Sequence, residues 1–203
     1  MKSKKQPRRI ALAISGASGA IYGLRVLEEL LRDPTLELHL TISPSAKKVL
    51  EIEHSVCVDL ENFNPLTLKI ANASRVIYHP CNNIAAPIAS GSFRISAMAI
   101  VPCSMGCVSA IAHGTSDNLI ERAADVMIKE RRTLIVVPRE TPLSAIHLEN
   151  MLALARLGVL VLPASPGFYG RPKSVSEMVD FVVARVLDHM NVEHELGPRW
   201  GEK

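Results

Sequence analysis

Of the 203 residues, 48% are hydrophobic and only 4% aromatic. Ala, Val, Leu and Ile must therefore build the core, which suits stacked α/β layers better than an aromatic-rich β-sandwich. The net charge of +3 is local: five of the 23 basic residues lie in Met1 to Arg9, which has no acidic residue, and the other 18 face 20 acidic ones. No basic stripe interleaved with aromatics runs through the body, so nucleic acid is not an expected partner.

The basic start is read as a flexible tail over residues 1–9. With Ile10-Ala-Leu-Ala-Ile14 behind it, it imitates a signal peptide, but the apolar run is too short and Ser15-Gly16 interrupts it. No run reaches membrane-spanning length, and a cytoplasmic protein away from the membrane is expected. Cys57, Cys81, Cys103 and Cys107 are too few and too irregular for a disulfide scaffold or a zinc knuckle, so buried thiols are expected.

Ile10 to Ile14 has the pattern of a strand buried on both faces. Ser15-Gly16-Ala17-Ser18-Gly19 follows, and from Ala20 the period turns helical, with Ile21, Leu24, Leu27, Leu30 and Leu31 on one side. Strand, small-residue turn and helix aim free amides at an anion, for which a phosphate is the natural guest. The pattern G-x-G-x-x-G is absent, no Lys-Ser/Thr pair follows the glycines, and the second strand ends in Ser43-Pro44, not in an acidic residue. A mononucleotide is favoured, flavin mononucleotide (FMN) ahead of a nicotinamide. A plain βα turn without a ligand is the alternative.

Leu36 to Ile42 is the second strand, and Ser43-Pro44 predicts a cap and first-turn proline for a helix to about Glu53. Residues 54–74 are expected as loop, Arg75 to Tyr78 as a short strand and Asn82 to Ser92 as a long loop. Ala97 to Val101 is a strand running into Pro102-Cys-Ser-Met-Gly106, a second turn of small residues. Asp117 to Arg131 reads as a helix, with Glu121, Asp125 and Lys129 at i, i+4 on its polar face. Thr133 to Val137 is a strand, Thr141-Pro142 predicts another cap for a helix to Leu157, and Val159 to Leu162 is the last strand. Ser174-Val-Ser-Glu177 is a capping box for a helix to about His189.

Strands alternating with helices predict a single Rossmann-like or flavodoxin-like domain over residues 10–190, a parallel sheet with helices on both faces, and a tail over 191–203. Ligands in such sheets sit beyond the carboxyl ends of the strands. There the turns present Ser15, Ser18, Ser43, Ser104, Arg139, Glu140 and Tyr169, with Lys129 and Arg185 reaching in from helices. Hydroxyl-bearing turns suit a flavin and its phosphate. Arg139, Lys129 and Arg185 suit a second anion, because a departing phosphate needs cations, and Glu140 in a cleft can handle a proton. His113 and His147 are read as structural.

Nine ordered motifs carry a family resemblance. They are Ser15-Gly-Ala-Ser-Gly-Ala-Ile-Tyr-Gly23, Ala89-Ser-Gly-Ser92, Pro102-Cys-Ser104, Asn118-Leu-Ile-Glu-Arg-Ala-Ala-Asp125, Lys129-Glu-Arg-Arg132, Pro138-Arg-Glu-Thr-Pro142, His147-Leu-Glu-Asn-Met151, Pro163-Ala-Ser-Pro-Gly-Phe-Tyr169 and Pro198-Arg-Trp-Gly201. Together they resemble the flavin prenyltransferases of the UbiX/Pad1 family over nearly the whole chain. The resemblance implies a metal-independent transfer of a dimethylallyl group from dimethylallyl phosphate to reduced FMN, giving prenylated FMN for a UbiD-type decarboxylase. It implies that Gly16, Ala17, Ser18, Ser43, Ser104, Met105, Gly106, Cys107 and Arg139 hold the flavin. It assigns dimethylallyl phosphate to Lys129, Arg139, Glu140, Tyr169 and Arg185, and catalysis to Ser18, Glu53 and Glu140. It also implies a homo-dodecamer with sites between subunits. Cys107 departs from the family's usual Thr, and Ile84 stands where some relatives have an aromatic residue. Two other readings remain: a flavin-dependent decarboxylase acting directly on its substrate, and a non-catalytic flavin carrier.

Overall fold

The computed structural model describes residues 7–197 and 201, so the first six residues of the expected basic tail and most of the closing motif lie outside the described residues. Its strands are β1 (Arg8–Ile14), β2 (Leu36–Ile42), β3 (Ile77–Tyr78), β4 (Ala97–Cys103), β5 (Thr133–Pro138) and β6 (Leu160–Val161). Its helices are α1 (Ala20–Leu30), α2 (Pro44–His54), α3 (Met105–Ala112), α4 (Leu119–Lys129), α5 (Ala145–Arg156) and α6 (Val175–His189). The strands form one parallel sheet in the order β3-β2-β1-β4-β5-β6. β1 pairs with β2 from Arg8 opposite Leu36 to Ile14 opposite Ile42, and with β4 from Ile10 opposite Ala97. The strand order reverses between β1 and β4, and there the chain ends splay apart to leave a crevice.

Alternation along the strands divides the core. Ile10, Leu12, Ile14, Leu38 and Leu40 face one side, under α1 and α6 with Leu27, Leu30, Val183 and Leu187. Ala11, Ala13, Met98, Ile100 and Val136 face the other, under α3 and α4 with Val108, Ile120 and Met127. Burying one such Leu or Ile contributes about 1.5–3 kcal/mol. Contact between α1 and β4 is so close that a Cβ on Gly23 would stand 2.3 Å from the Val101 carbonyl oxygen.

Several local expectations are corrected. β1 starts at Arg8, two residues before the expected body: the Arg8 guanidinium donates to the Met190 and Asn191 carbonyls, and Arg9 pairs with Glu37 at 2.6 Å. Past α6, Val192 and Leu196 are buried, so the chain there packs on the body. The expected loop over 54–74 holds a 3-10 turn, Pro65–Leu68, and a second, Ala73–Arg75, runs into the expected Arg75–Tyr78 strand, which begins only at Ile77. Thr141-Pro142 does not cap α5. Ser144 does, accepting from the His147 amide at 3.2 Å while His147 Nδ1 accepts from the Ser144 amide at 3.3 Å, a reciprocal pair that outcompetes the earlier hydroxyl. On α4, Asp125 pairs with Arg122 (2.6 Å) and Lys129 with Glu130 (2.9 Å), not with each other. Cys81 and Cys103 are buried and Cys107 half-buried, but Cys57 is exposed. Among the described residues no helix is long and apolar enough to cross a membrane.

Candidate functional site

The crevice between β1 and β4 is closed at its base by Ser15. Its hydroxyl donates to the Pro102 carbonyl at 3.1 Å and accepts from the Ser104 amide at 2.8 Å, tying the two turns together. At 3% exposure, with its hydroxyl engaged by both turns, Ser15 is part of the frame of the crevice. Above it lies a cavity of about 460 Å³ lined by Ser15, Gly16, Ser43, Pro44, Ser45, Cys81, Asn82, Ser104, Gly106 and Cys107 on one side, with Asp117, Asn118, Ile120 and Glu121 on the other. That volume lies in the range of small-molecule and cofactor sites, about 300–1,000 Å³.

Two helices begin in this wall. Ser104 caps α3, its Oγ accepting from the Cys107 amide at 3.3 Å. The first amides of α3, on Met105 and Gly106, have no carbonyl within the helix to bond to, so they form an anion-binding end. A Cβ on Gly106 would meet nothing within 4 Å, so the approach is open. Ser43 caps α2 by accepting from Ala46 at 3.0 Å. Gly16 passes so close to α2 that a Cβ would stand 2.3 Å from Ser45 Cβ, which explains the small residue there.

The first turn corrects the sequence reading most. Glu53, at the far end of α2, folds back and accepts from the amides of Gly19 (3.1 and 3.0 Å) and Ala20 (2.9 Å). The Gly19 and Ala20 amides, expected to face a phosphate, are therefore already taken by a carboxylate, and the helix start left open toward the cavity is that of α3. Burial pushes the Glu53 carboxyl up, but hydrogen bonds from the Ser18 hydroxyl and the two amides outweigh it and leave it below the usual carboxylate range. Arg139, after β5, donates from Nε to the Ser18 carbonyl at 3.1 Å. Ser18, Glu53 and Arg139 thus meet in one knot beside Gly16 and Ala17.

The remaining predicted residues lie elsewhere. Glu140 is exposed and accepts from the Thr141 amide at 3.1 Å. Tyr169 and Arg185 line a second cavity of about 400 Å³; the Tyr169 ring stands edge-on to Phe181 at 5.6 Å, and Arg185 lies 3.3 Å from Asp188. Lys129 ends α4 at the amino-terminal edge of the sheet, against Glu130 and within 3.1 Å of a Cβ placed on Gly91. Arg132 fixes that loop, donating to the Gly91 and Phe93 carbonyls at 2.5 and 3.0 Å. Ile84 is exposed. His113 and His147 are structural as expected, His113 bonding the Ser109 carbonyl at 2.8 Å. Among the described residues no three His, Cys, Asp or Glu side chains gather as a metal would require.

Sequence reading missed the wall made by the start of α4. Asn118 Oδ1 accepts from the Ile120 and Glu121 amides, and Asn118 Nδ2 donates to Glu121 Oε1 at 2.6 Å. The Asn-x-x-Glu spacing was the available signal.

A family model described as flavoprotein matches residues 1–187. The chain is 47% identical to the flavin prenyltransferase UbiX of Halalkalibacterium halodurans, over 95% of this chain and 93% of that protein. Among solved structures, a dodecameric FMN-dependent UbiX-like decarboxylase from Escherichia coli O157:H7 superposes with a TM-score of 0.85 at 42% identity, covering 96% of this chain and all of that one. A UbiX protein (PadA1) in complex with FMN and dimethylallyl pyrophosphate matches with a TM-score of 0.85 at 41% identity, over 97% of this chain and 99% of that one. With the crevice, the α3 amino terminus and the Ser18–Glu53 knot in place, these matches make the chain a member of the flavoprotein family, in its UbiX flavin prenyltransferase branch.

Proposed function

We propose that this protein transfers a dimethylallyl group from dimethylallyl phosphate to reduced FMN, and that the prenylated FMN passes to a UbiD-type decarboxylase in the cytoplasm. The observation that carries the reading is the crevice itself. A cofactor-sized cavity carries an anion-binding helix end on its wall, and an ionised Glu53 bonded to Ser18 stands beside its floor. The residues fit FMN: the α3 amides with Ser43 and Ser104 would hold its phosphate, and Gly16, Ala17 and Cys107 would let its ring system lie close to the backbone. Bound and reduced, FMN supplies an electron-rich ring that accepts the allyl group.

The chain's own groups then have distinct tasks. Glu53, held ionised, orients the Ser18 hydroxyl, which would take or give a proton at the ring. Arg139 screens the negative charge of both ligands. Lys129, Glu140, Tyr169 and Arg185 receive the phosphate leaving group, Glu140 as its proton partner. Lys129 and Arg139 stand at opposite edges of the sheet, so the site is completed by neighbouring copies, in a dodecamer like that of the E. coli relative. The apolar side chains that α5 exposes, Ile146, Leu148 and Leu152, give such copies a surface to cover.

Anaerobic incubation of the purified protein with reduced FMN and dimethylallyl phosphate tests the reading. The released flavin should be heavier by one five-carbon unit. Carbon dioxide release from an aromatic acid by the protein alone would favour the direct decarboxylase, and bound but unmodified flavin would favour the carrier.

A further inference from the structure

The wall of the cavity carries a pair of thiols that the proposed transfer does not use. Cys103 is the last residue of β4, fully buried; Cys107 is the third residue of α3, half-buried and facing the cavity. Only the Ser104 cap and two helical residues separate them, and Cys107 packs against the buried cluster that contains Cys103. The Cys103 thiol donates to the Ser104 carbonyl at 3.8 Å. The contact with Cys107, together with burial, holds Cys103 protonated. Cys81, buried in the same wall, is a neighbour without such a contact to Cys103.

We propose that Cys103 and Cys107 form a reversible disulfide under peroxide, and that the disulfide shuts the cavity to flavin. The cavity-facing thiol reacts first: Cys107–SH with hydrogen peroxide gives Cys107–SOH and water. Cys103–SH then displaces that hydroxyl, giving the disulfide and a second water. Two thiols lose two electrons and one peroxide gains them. Reduced flavins yield hydrogen peroxide with dioxygen, so a protein that handles one meets this oxidant at its own cavity. Bond formation draws the two sulfurs together to about 2.05 Å. That pulls the first turn of α3, with the Met105 and Gly106 amides, out of position. The effect on flavin rests on the proposed function; the disulfide itself does not.

The test uses the full chain, treated with hydrogen peroxide, blocked with an alkylating agent and digested with trypsin without reductant. Both thiols fall in the peptide 95–122, Cys81 in 76–94 and Cys57 in 49–69. Peptide 95–122 should become two hydrogens lighter. FMN binding, followed by flavin fluorescence, should weaken by about tenfold or more, as expected when donors to a charged group are displaced, and dithiothreitol should restore it. Cys103→Ser should bind FMN normally and resist peroxide; if it fails to fold, Cys103→Ala replaces it. An unchanged peptide 95–122 under conditions that oxidise Cys57 overturns the proposal, as does a formed disulfide with unaltered FMN affinity. Failure of the untreated protein to bind FMN would refute the functional reading and leave the peptide mass to decide the disulfide.

Discussion

Replacing Glu53 by Gln separates a charged cap from a neutral one at the same place. The carboxylate accepts from the Gly19 and Ala20 amides and from the Ser18 hydroxyl, with its side chain 25% exposed. Gln keeps one acceptor oxygen but turns an NH2 group toward an amide. Hydrogen bonds to charged groups are worth about 1.5–3 kcal/mol each, and a charge at a helix amino terminus about 0.3–1 kcal/mol. With one acceptor retained and partial solvent screening, the expected loss is about 1–2 kcal/mol, or about 2–8 °C in Tm for a chain of this size. Because the folded carboxyl sits below its unfolded value, this stability is complete above the ordinary carboxylate pKa and is lost as pH falls through the folded value. Thermal unfolding of both proteins at one fixed concentration should show a constant gap from about pH 7 to 5, closing below about pH 4. A Gln variant as stable as the parent at pH 7, or a gap that ignores pH, would refute the reasoning.

Gly23→Ala should force α1 away from β4, since its Cβ would meet the Val101 carbonyl at 2.3 Å; a cost of about 1–3 kcal/mol is expected in urea unfolding. His39 and His79 share a 2.9 Å hydrogen bond in the core beside Glu37, Arg9 and Phe93. Burial, then the neighbouring His39, pushes His79 down to about 4. Its folded value is depressed, so stability should fall as pH drops from about 6.5 to 4, by up to about 3 kcal/mol, and His79→Gln should flatten that slope. Glu140→Gln should leave FMN affinity unchanged and slow prenyl transfer by about tenfold or more in single-turnover measurements, and unchanged turnover would remove its role.

Local pattern carried the strands and most helices, because parallel strands buried on both faces and helices with one apolar side each leave a period in the sequence. β2, the Ser43 cap and the Ser174 cap emerged where the pattern put them. Tertiary competition is not written locally. Nothing near Gly19 announces that Glu53, 34 residues away, will take its amide, nor that Ser15 will spend its hydroxyl on Pro102. The α5 start was misplaced because a proline after a hydroxyl looks like a cap, whereas the reciprocal Ser144–His147 pair satisfies two groups at once. The motifs named Lys129 and Arg139 together, but only the topology shows how far apart they stand.

That separation decides how the proposed site is assembled. α4 runs against the strands, so Lys129 ends beside the entrance of β5, while Arg139 follows its exit. A six-residue strand at about 3.3 Å per residue puts those ends about 17 Å apart, beyond what both side chains can close around one phosphate. If one copy supplies Lys129 and another Arg139, the two defects should complement. Lys129→Ala and Arg139→Ala, each inactive alone, would on co-expression in equal amounts give oligomers in which about one quarter of the sites hold both intact side chains. Prenyl transfer by the mixed oligomer should therefore return to about a quarter of the parent rate, read as flavin mass per subunit. A mixture as inactive as its parts would place both residues in one chain's site and overturn the shared arrangement. Recovery to that level would not arise from either variant separately, since neither restores the missing cation within its own chain.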